Sequence, residues 1–192
     1  MNITNRAMIA TYSDYIETYI LTTRRNREDC PGEHHFVATY LLPRIYSITQ
    51  RVPAFVNPDG TKRQKMGDIV YNDPRLAIEV KFETVHLTTF QFVNWIALRN
   101  PAEFPPPDIF IGVASKGIVV SRWEFFRRKY QEINEMENIL PGINCGPQLS
   151  INRIIGATTE ETSLGKFLGA NKQTYEVRFI GLLNNLITTC HR

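Results

Sequence analysis

GDIVYNDPRLAIEVKF, residues 67–82, contains two extended runs either side of a tight turn. In the second run Leu76, Ile78, Val80 and Phe82 fall on one side, and Ala77, Glu79 and Lys81 on the other, the period-2 alternation of a strand with one apolar face. Asn72-Asp73-Pro74-Arg75 is turn chemistry, so Gly67 to Tyr71 and Leu76 to Phe82 are predicted to pair as an antiparallel hairpin. Carried symmetrically about the Asp73-Pro74 turn, that register sets Asp68 opposite Glu79. Directly opposed carboxylates, with Cβ atoms about 4.5–5.5 Å apart, repel. A divalent cation among hard oxygen ligands offsets the repulsion, and such ligands favour Mg2+ or Mn2+. Lys81, two residues along the same face, is expected to bring an ammonium to the rim. Two acids, a cation and a lysine are the equipment for phosphodiester hydrolysis, with the lysine orienting or deprotonating water or stabilising the pentacovalent state.

Outward from the hairpin, the pattern is that of an α/β chain. A helix is predicted over Thr4 to Leu21, and a second opens at Pro31-Gly32 with Glu33 in its first turn and an apolar face of Val37, Tyr40, Leu41 and Ile48. Pro43 should kink or end it. Ala54 to Asn57 reads as a strand that completes a three-stranded meander with the hairpin. A helix from Thr88 to Arg99, a proline-rich connection from Pro101 to Pro107, a buried strand Ile109 to Val113 and a strand Ile118 to Ser121 follow. Ser121-Arg122-Trp123-Glu124 has capping-box form and is read as the start of a helix reaching about Asn138. The pattern weakens beyond Pro141-Gly142 until an amphipathic helix, Thr174 to Thr189, lined by Phe179, Leu182, Leu183, Leu186 and Ile187. Residues 1–192 are thus expected to form one domain with a core at about 31–138, on which the first helix and an appendage from 142 onward pack.

Composition sets the outer limits. The chain has 192 residues, 43% hydrophobic and 21% charged, and lacks an apolar run near the roughly 20 residues of a membrane span. A polar N-terminal pattern without a secretory signal suggests a cytoplasmic protein. Cys30, Cys145 and Cys190 are odd in number and lack zinc-ligand spacing, so reduced structural thiols are expected, and nothing points to an organic cofactor. A net charge of +3 permits an acidic partner without requiring one. Lys62, Arg63 and Lys65, just ahead of Asp68, are the better candidates for guiding a polyanion. Arg122, Arg127, Arg128 and Lys129 equally suit a solvated helix face.

Gly67-Asp68, ten intervening residues and Glu79-Val80-Lys81 resemble the motif of the PD-(D/E)XK nuclease superfamily, with Gly67 where the motif's proline stands. The element order from about Pro31 to Ser121 is also similar to that superfamily's restriction-endonuclease-like core. The resemblance implies a central mixed sheet of about five strands flanked by helices. It also implies Asp68 and Glu79 as metal ligands, the Val80 carbonyl as a further one, Lys81 as the catalytic lysine, and Glu33 as the acid of the preceding helix, acting through metal-bound water. Gln91, four residues before Trp95, resembles the Gln-x-x-x-Tyr element of the exonuclease branch, with Trp in place of Tyr. The expected protein is a Mg2+-dependent endonuclease acting on DNA, a homodimer in the manner of a type II restriction enzyme.

Each of these residues also has a plainer reading. Glu-Val-Lys commonly marks an exposed strand with a cross-strand ion pair, and an acid at Glu33 suits a helix N-terminus whatever the function. His34 and His35 are adjacent and project apart, which rules out a shared metal on that helix, and His86 fits a loop. A structure-selective or nonspecific DNase of the same fold, and a catalytically silent module binding nucleic acid or protein, are the alternatives.

Overall fold

The computed structural model describes residues 37–56, 66–114, 117–136, 148–156, 163–165 and 172–190. The expectations for 4–21, Glu33, His34, His35, Lys62, Arg63 and Lys65 lie outside these residues.

Helix α1 (Leu42–Thr49) follows directly on a π-helical turn, Val37–Leu41. Pro43 sits in the first turn of α1, where its missing N–H is no loss, so it marks a change of helical pitch and does not end the helix. Strands β1 (Phe55–Val56), β2 (Ile69–Tyr71) and β3 (Leu76–Phe82) form the antiparallel meander. A short strand β4 (Thr84–Val85) leads to α2 (Thr89–Gln91), which widens into a π-helical turn, Phe92–Ile96. The chain then crosses over to β5 (Ile109–Ala114), parallel to β3, and returns as β6 (Gly117–Arg122), antiparallel to β5. Helix α3 (Trp123–Met136), strand β7 (Leu149–Ser150), helix α4 (Ile151–Gly156), strand β8 (Ser163–Gly165) and helix α5 (Lys172–Cys190) complete the order.

The mixed sheet has six strands in the order β1-β2-β3-β5-β6-β8, and β4 pairs with β7 apart from it. Five of the six coincide with the predicted strands, and β8 comes from the stretch in which no pattern was read. Strand alternation sends Ile78, Val80, Ile109, Ile111, Ile118 and Val120 to one face, against Tyr40, Leu41 and Ile45 and against Phe179, Leu183 and Ile187 of α5. Burying side chains of this size contributes about 1.5–3 kcal/mol each. Helix α5 is therefore one of the covering layers, not an appendage.

The opposite face, read as charged along Leu76–Phe82, is covered as well. Phe110, Ala114 and Val119 on that face pack beneath Trp95, Trp123, Phe126, Ile151 and Ile154 in a second core. Phe110 stacks on Phe126 with ring centroids 3.8 Å apart, and Trp95 meets Trp123 edge to face at 5.7 Å. Gly112 is required by this packing: a Cβ there would lie 2.8 Å from Val119 Cγ1 and 2.9 Å from Phe110 Cε1. The sheet is thus covered on both sides, and charged groups at positions 79 and 81 lie at the edge of a packed layer.

The predicted capping box at Ser121–Glu124 does not form. Ser121 is a strand residue paired with Phe110, its buried Oγ has no hydrogen-bond partner, and α3 begins two residues later, with the Trp123 N–H donating to the Asp108 carbonyl at 2.9 Å. Asp108 also takes the Ala77 N–H on Oδ2 at 2.7 Å and an ion pair from Arg75 at 3.1 Å, joining the hairpin turn to the start of β5.

Candidate functional site

Where β2 begins, the ladder departs from the symmetric hairpin. Ile69 is the register partner of Ile78, and the Asp68 N–H also donates to the Ile78 carbonyl, at 2.9 Å. Two residues thus face one, a bulge, and Asp68 is not simply the next pair opposite Glu79. The cause is Gly67, whose φ of +98° lies in the region glycine favours and whose position leaves only 3.1 Å between an added Cβ and the Ile78 carbonyl oxygen.

The bulge changes what Asp68 does. The Ala77 carbonyl accepts from the Asp108 N–H and the Glu83 N–H donates to the Val113 carbonyl, both on the β5 side, so alternation turns the main-chain groups of Val80 toward β2. Among the described residues it is a side chain and not a ladder carbonyl that meets the Val80 N–H: Asp68 Oδ2 accepts it at 2.8 Å. The Val80 carbonyl faces that same edge, and the Asp68 carboxylate is 7% exposed. Asp68 is therefore a structural acceptor at the edge of β3 as well as an acid.

Glu79 is buried to 1% exposure on the face of the second core. Its Oε1 receives Lys81 Nζ at 2.5 Å and Gln91 Nε2 at 3.0 Å. Lys81, expected at the rim, instead folds back along its own strand as the direct counter-ion of Glu79, its side chain 15% exposed. A carboxylate this deep is costly unless paired and hydrogen-bonded, and both requirements are met.

Gln91 is held from the helix side. Thr88 is the N-cap of α2: its hydroxyl accepts the Gln91 N–H at 3.3 Å, and Gln91 Oε1 accepts the Thr88 N–H at 3.1 Å. The box expected at Ser121–Glu124 is thus found at Thr88–Gln91. Thr88 was read from the sequence as the start of this helix but not as its cap, although Thr-x-x-Gln ahead of Phe92 carries the same signal. Trp95, the other half of the exonuclease-like element, is fully buried in the second core.

The remaining candidates have structural partners. His86 Nδ1 lies 2.9 Å from Gln148 Nε2 in a loop contact. Arg127 reaches the Ile96 carbonyl at 3.4 Å and Gln131 at 3.3 Å, and Lys129 pairs with Glu132 at 2.7 Å, as a solvated helix face does. Cys190, the cysteine within the described residues, is unpaired, and burial pushes its thiol pKa up. No described helix is long and apolar enough to cross a membrane.

Among the described residues no three acidic, histidine or cysteine groups gather to hold a metal. Asp68, on the Val80 N–H, and Glu79, the residue before Val80, are two carboxylates that meet β3 one residue apart. That set suits Mg2+, which keeps several waters and binds through one or two carboxylates plus substrate phosphate, better than an ion needing a complete protein cage. Comparison with protein-family models, with curated proteins and with solved structures gives no match for the chain.

Proposed function

We propose that the chain is a metal-dependent endonuclease that hydrolyses DNA phosphodiester bonds, on a core of the restriction-endonuclease-like kind. The observation that supports this best is the concentration of Asp68, Glu79 and Lys81 at the bulged edge of the central hairpin, two acids and an ammonium in a largely buried setting. Burial and close charge partners are typical of residues kept for chemistry.

Asp68 and Glu79, with the Val80 carbonyl, would hold Mg2+ or Mn2+. When bound, the cation polarises a phosphoryl oxygen and offsets charge gathering at phosphorus. Asp68 is kept in place by the Val80 N–H, and Glu79 by Gln91, so neither acid has to be ordered when substrate arrives. Lys81 Nζ lies beside Glu79, from where its N–H groups can orient the attacking water and its ammonium can offset charge developing on the phosphoryl oxygens. Glu33, and the contacts of Lys62, Arg63 and Lys65 with phosphate, belong to the same proposal. A homodimer cutting both strands remains part of it, although α5 turns its apolar stripe into the core, so that pairing has to use another face.

A second reading is favoured by the Glu79–Lys81 contact itself. A buried pair that neutralises itself can serve stability alone, as in a silent binding module of the same fold. Plasmid and linear DNA incubated with and without Mg2+ or Mn2+, beside Asp68→Ala and Lys81→Ala, separate the two. Metal-dependent cleavage by the wild type alone supports the nuclease. Wild-type cleavage no greater than that of either variant sinks it, and salt-sensitive DNA binding without cleavage supports the module.

A further inference from the structure

We infer that Thr88 is a positioning residue that sets Glu79 through Gln91, an inference that deepens, and rests on, the reading of Glu79 as a metal ligand. The two ends of a glutamine amide are alike in shape and opposite in hydrogen bonding, so its neighbours decide which end meets a carboxylate. At Gln91 the helix start decides. The Thr88 main-chain N–H can be met only by an acceptor, and Gln91 Oε1 meets it at 3.1 Å. The NH2 end is thereby turned to Glu79 Oε1 at 3.0 Å.

Thr88 closes the loop by accepting the Gln91 N–H on its hydroxyl at 3.3 Å, which places Gln91 at the third helical position, from which its side chain reaches back. Turning the amide over would set oxygen against carboxylate and NH2 against N–H at the same time. Gln91 is 4% exposed and Glu79 1%, so water cannot replace the lost contacts. Glu79 Oε1 is thus held by donors from two elements, Lys81 on its own strand and Gln91 on α2. Groups that orient a ligand from behind commonly change metal affinity by about 10–100-fold.

The test uses the full chain, labelled with 15N, and Mn2+ as the probe. In the wild type the Gln91 side-chain NH2 is expected to give two well-separated, slowly exchanging proton signals. Thr88→Ser keeps them and Thr88→Val loses them. Mn2+ titrations, run well below the unfolding transition of every variant, are expected to show about tenfold weaker binding for Thr88→Val and a change within about twofold for Thr88→Ser. In a Gln91→Met background Thr88→Val should have no further effect on Mn2+ binding, because its route to Glu79 is already cut. Full and additive effects in that cycle, or unchanged Gln91 signals in Thr88→Val, overturn the inference. A wild type that binds no Mn2+ sinks the reading of Glu79 as a ligand, and the amide signals then decide alone whether Thr88 sets Gln91.

Discussion

Asp68 Oδ2 accepts the Val80 N–H at 2.8 Å, a side chain standing in for a strand at the point just before β2 begins. The two functions of Asp68, acceptor and anion, can be separated by substitution. Asp68→Asn keeps an oxygen for Val80 and removes the charge, so folding should change by less than about 1 kcal/mol while Mg2+-dependent cleavage is lost. Asp68→Ala leaves the Val80 N–H without its partner and should cost about 1–3 kcal/mol as well. Thermal denaturation beside plasmid cleavage checks both, and an Asn variant that cleaves like the wild type removes Asp68 from the chemistry.

Removing Lys81 takes the ammonium from a Glu79 carboxylate that is buried, leaving Gln91 Nε2 on the same oxygen. Lys81→Met is expected to destabilise by about 3–5 kcal/mol, the usual cost of breaking a buried pair from one side. Glu79→Leu combined with Lys81→Met should regain most of that loss, and should be inactive. Urea unfolding of the two single variants and the double variant measures the coupling.

Gly67→Ala puts a side chain at φ +98°, with its Cβ 3.1 Å from the Ile78 carbonyl oxygen. A loss of about 1–3 kcal/mol is expected from the backbone strain. Because Asp68 is the next residue, cleavage should fall more than stability alone explains, as comparison with Gly181→Ala would reveal; at Gly181 an added Cβ meets nothing within 4 Å.

Tyr71 is 1% exposed, its hydroxyl has no hydrogen-bond partner, and burial pushes its pKa up to about 12 from 10.0, against the opposing pull of Arg51. The folded chain therefore keeps a proton that the unfolded chain gives up between pH 10 and about 12. The stability due to Tyr71 is fully present below pH 10 and is lost as pH rises through about 12. Tyr71→Phe should flatten that decline, and should be neutral or stabilising at pH 8, since it removes a buried hydroxyl without a partner. Denaturant midpoints at pH 8 and pH 11 for both proteins check the difference.

Strand β3 was legible residue for residue because alternation at Leu76–Phe82 is a local signal. The depth of Glu79 was not, since it depends on α3 and the π-helical turn at Phe92–Ile96 covering a face that the strand alone marks as polar. The bulge at Asp68 could be read only as far as Gly67, a residue equally at home in any turn. Of two capping-box patterns, Thr88–Gln91 formed and Ser121–Glu124 did not. Ser121 is claimed by six residues of pairing between β5 and β6, a long-range fact absent from its neighbours in sequence. The last helix was legible as amphipathic, and its place in the core was not, because Phe179 meets Tyr40 across more than a hundred residues of chain.

The described groups around Glu79, from Gly67 through Asp68, Val80 and Lys81 to Thr88 and Gln91, come from one short run of chain. The Pro101 to Pro107 connection leads instead into Asp108, beside Ala77 at the start of the parallel pair. The candidate site is thus nearly contiguous in sequence: residues 67–91 carry both acids and the groups that orient them, so a single short segment could be transplanted or deleted as a unit.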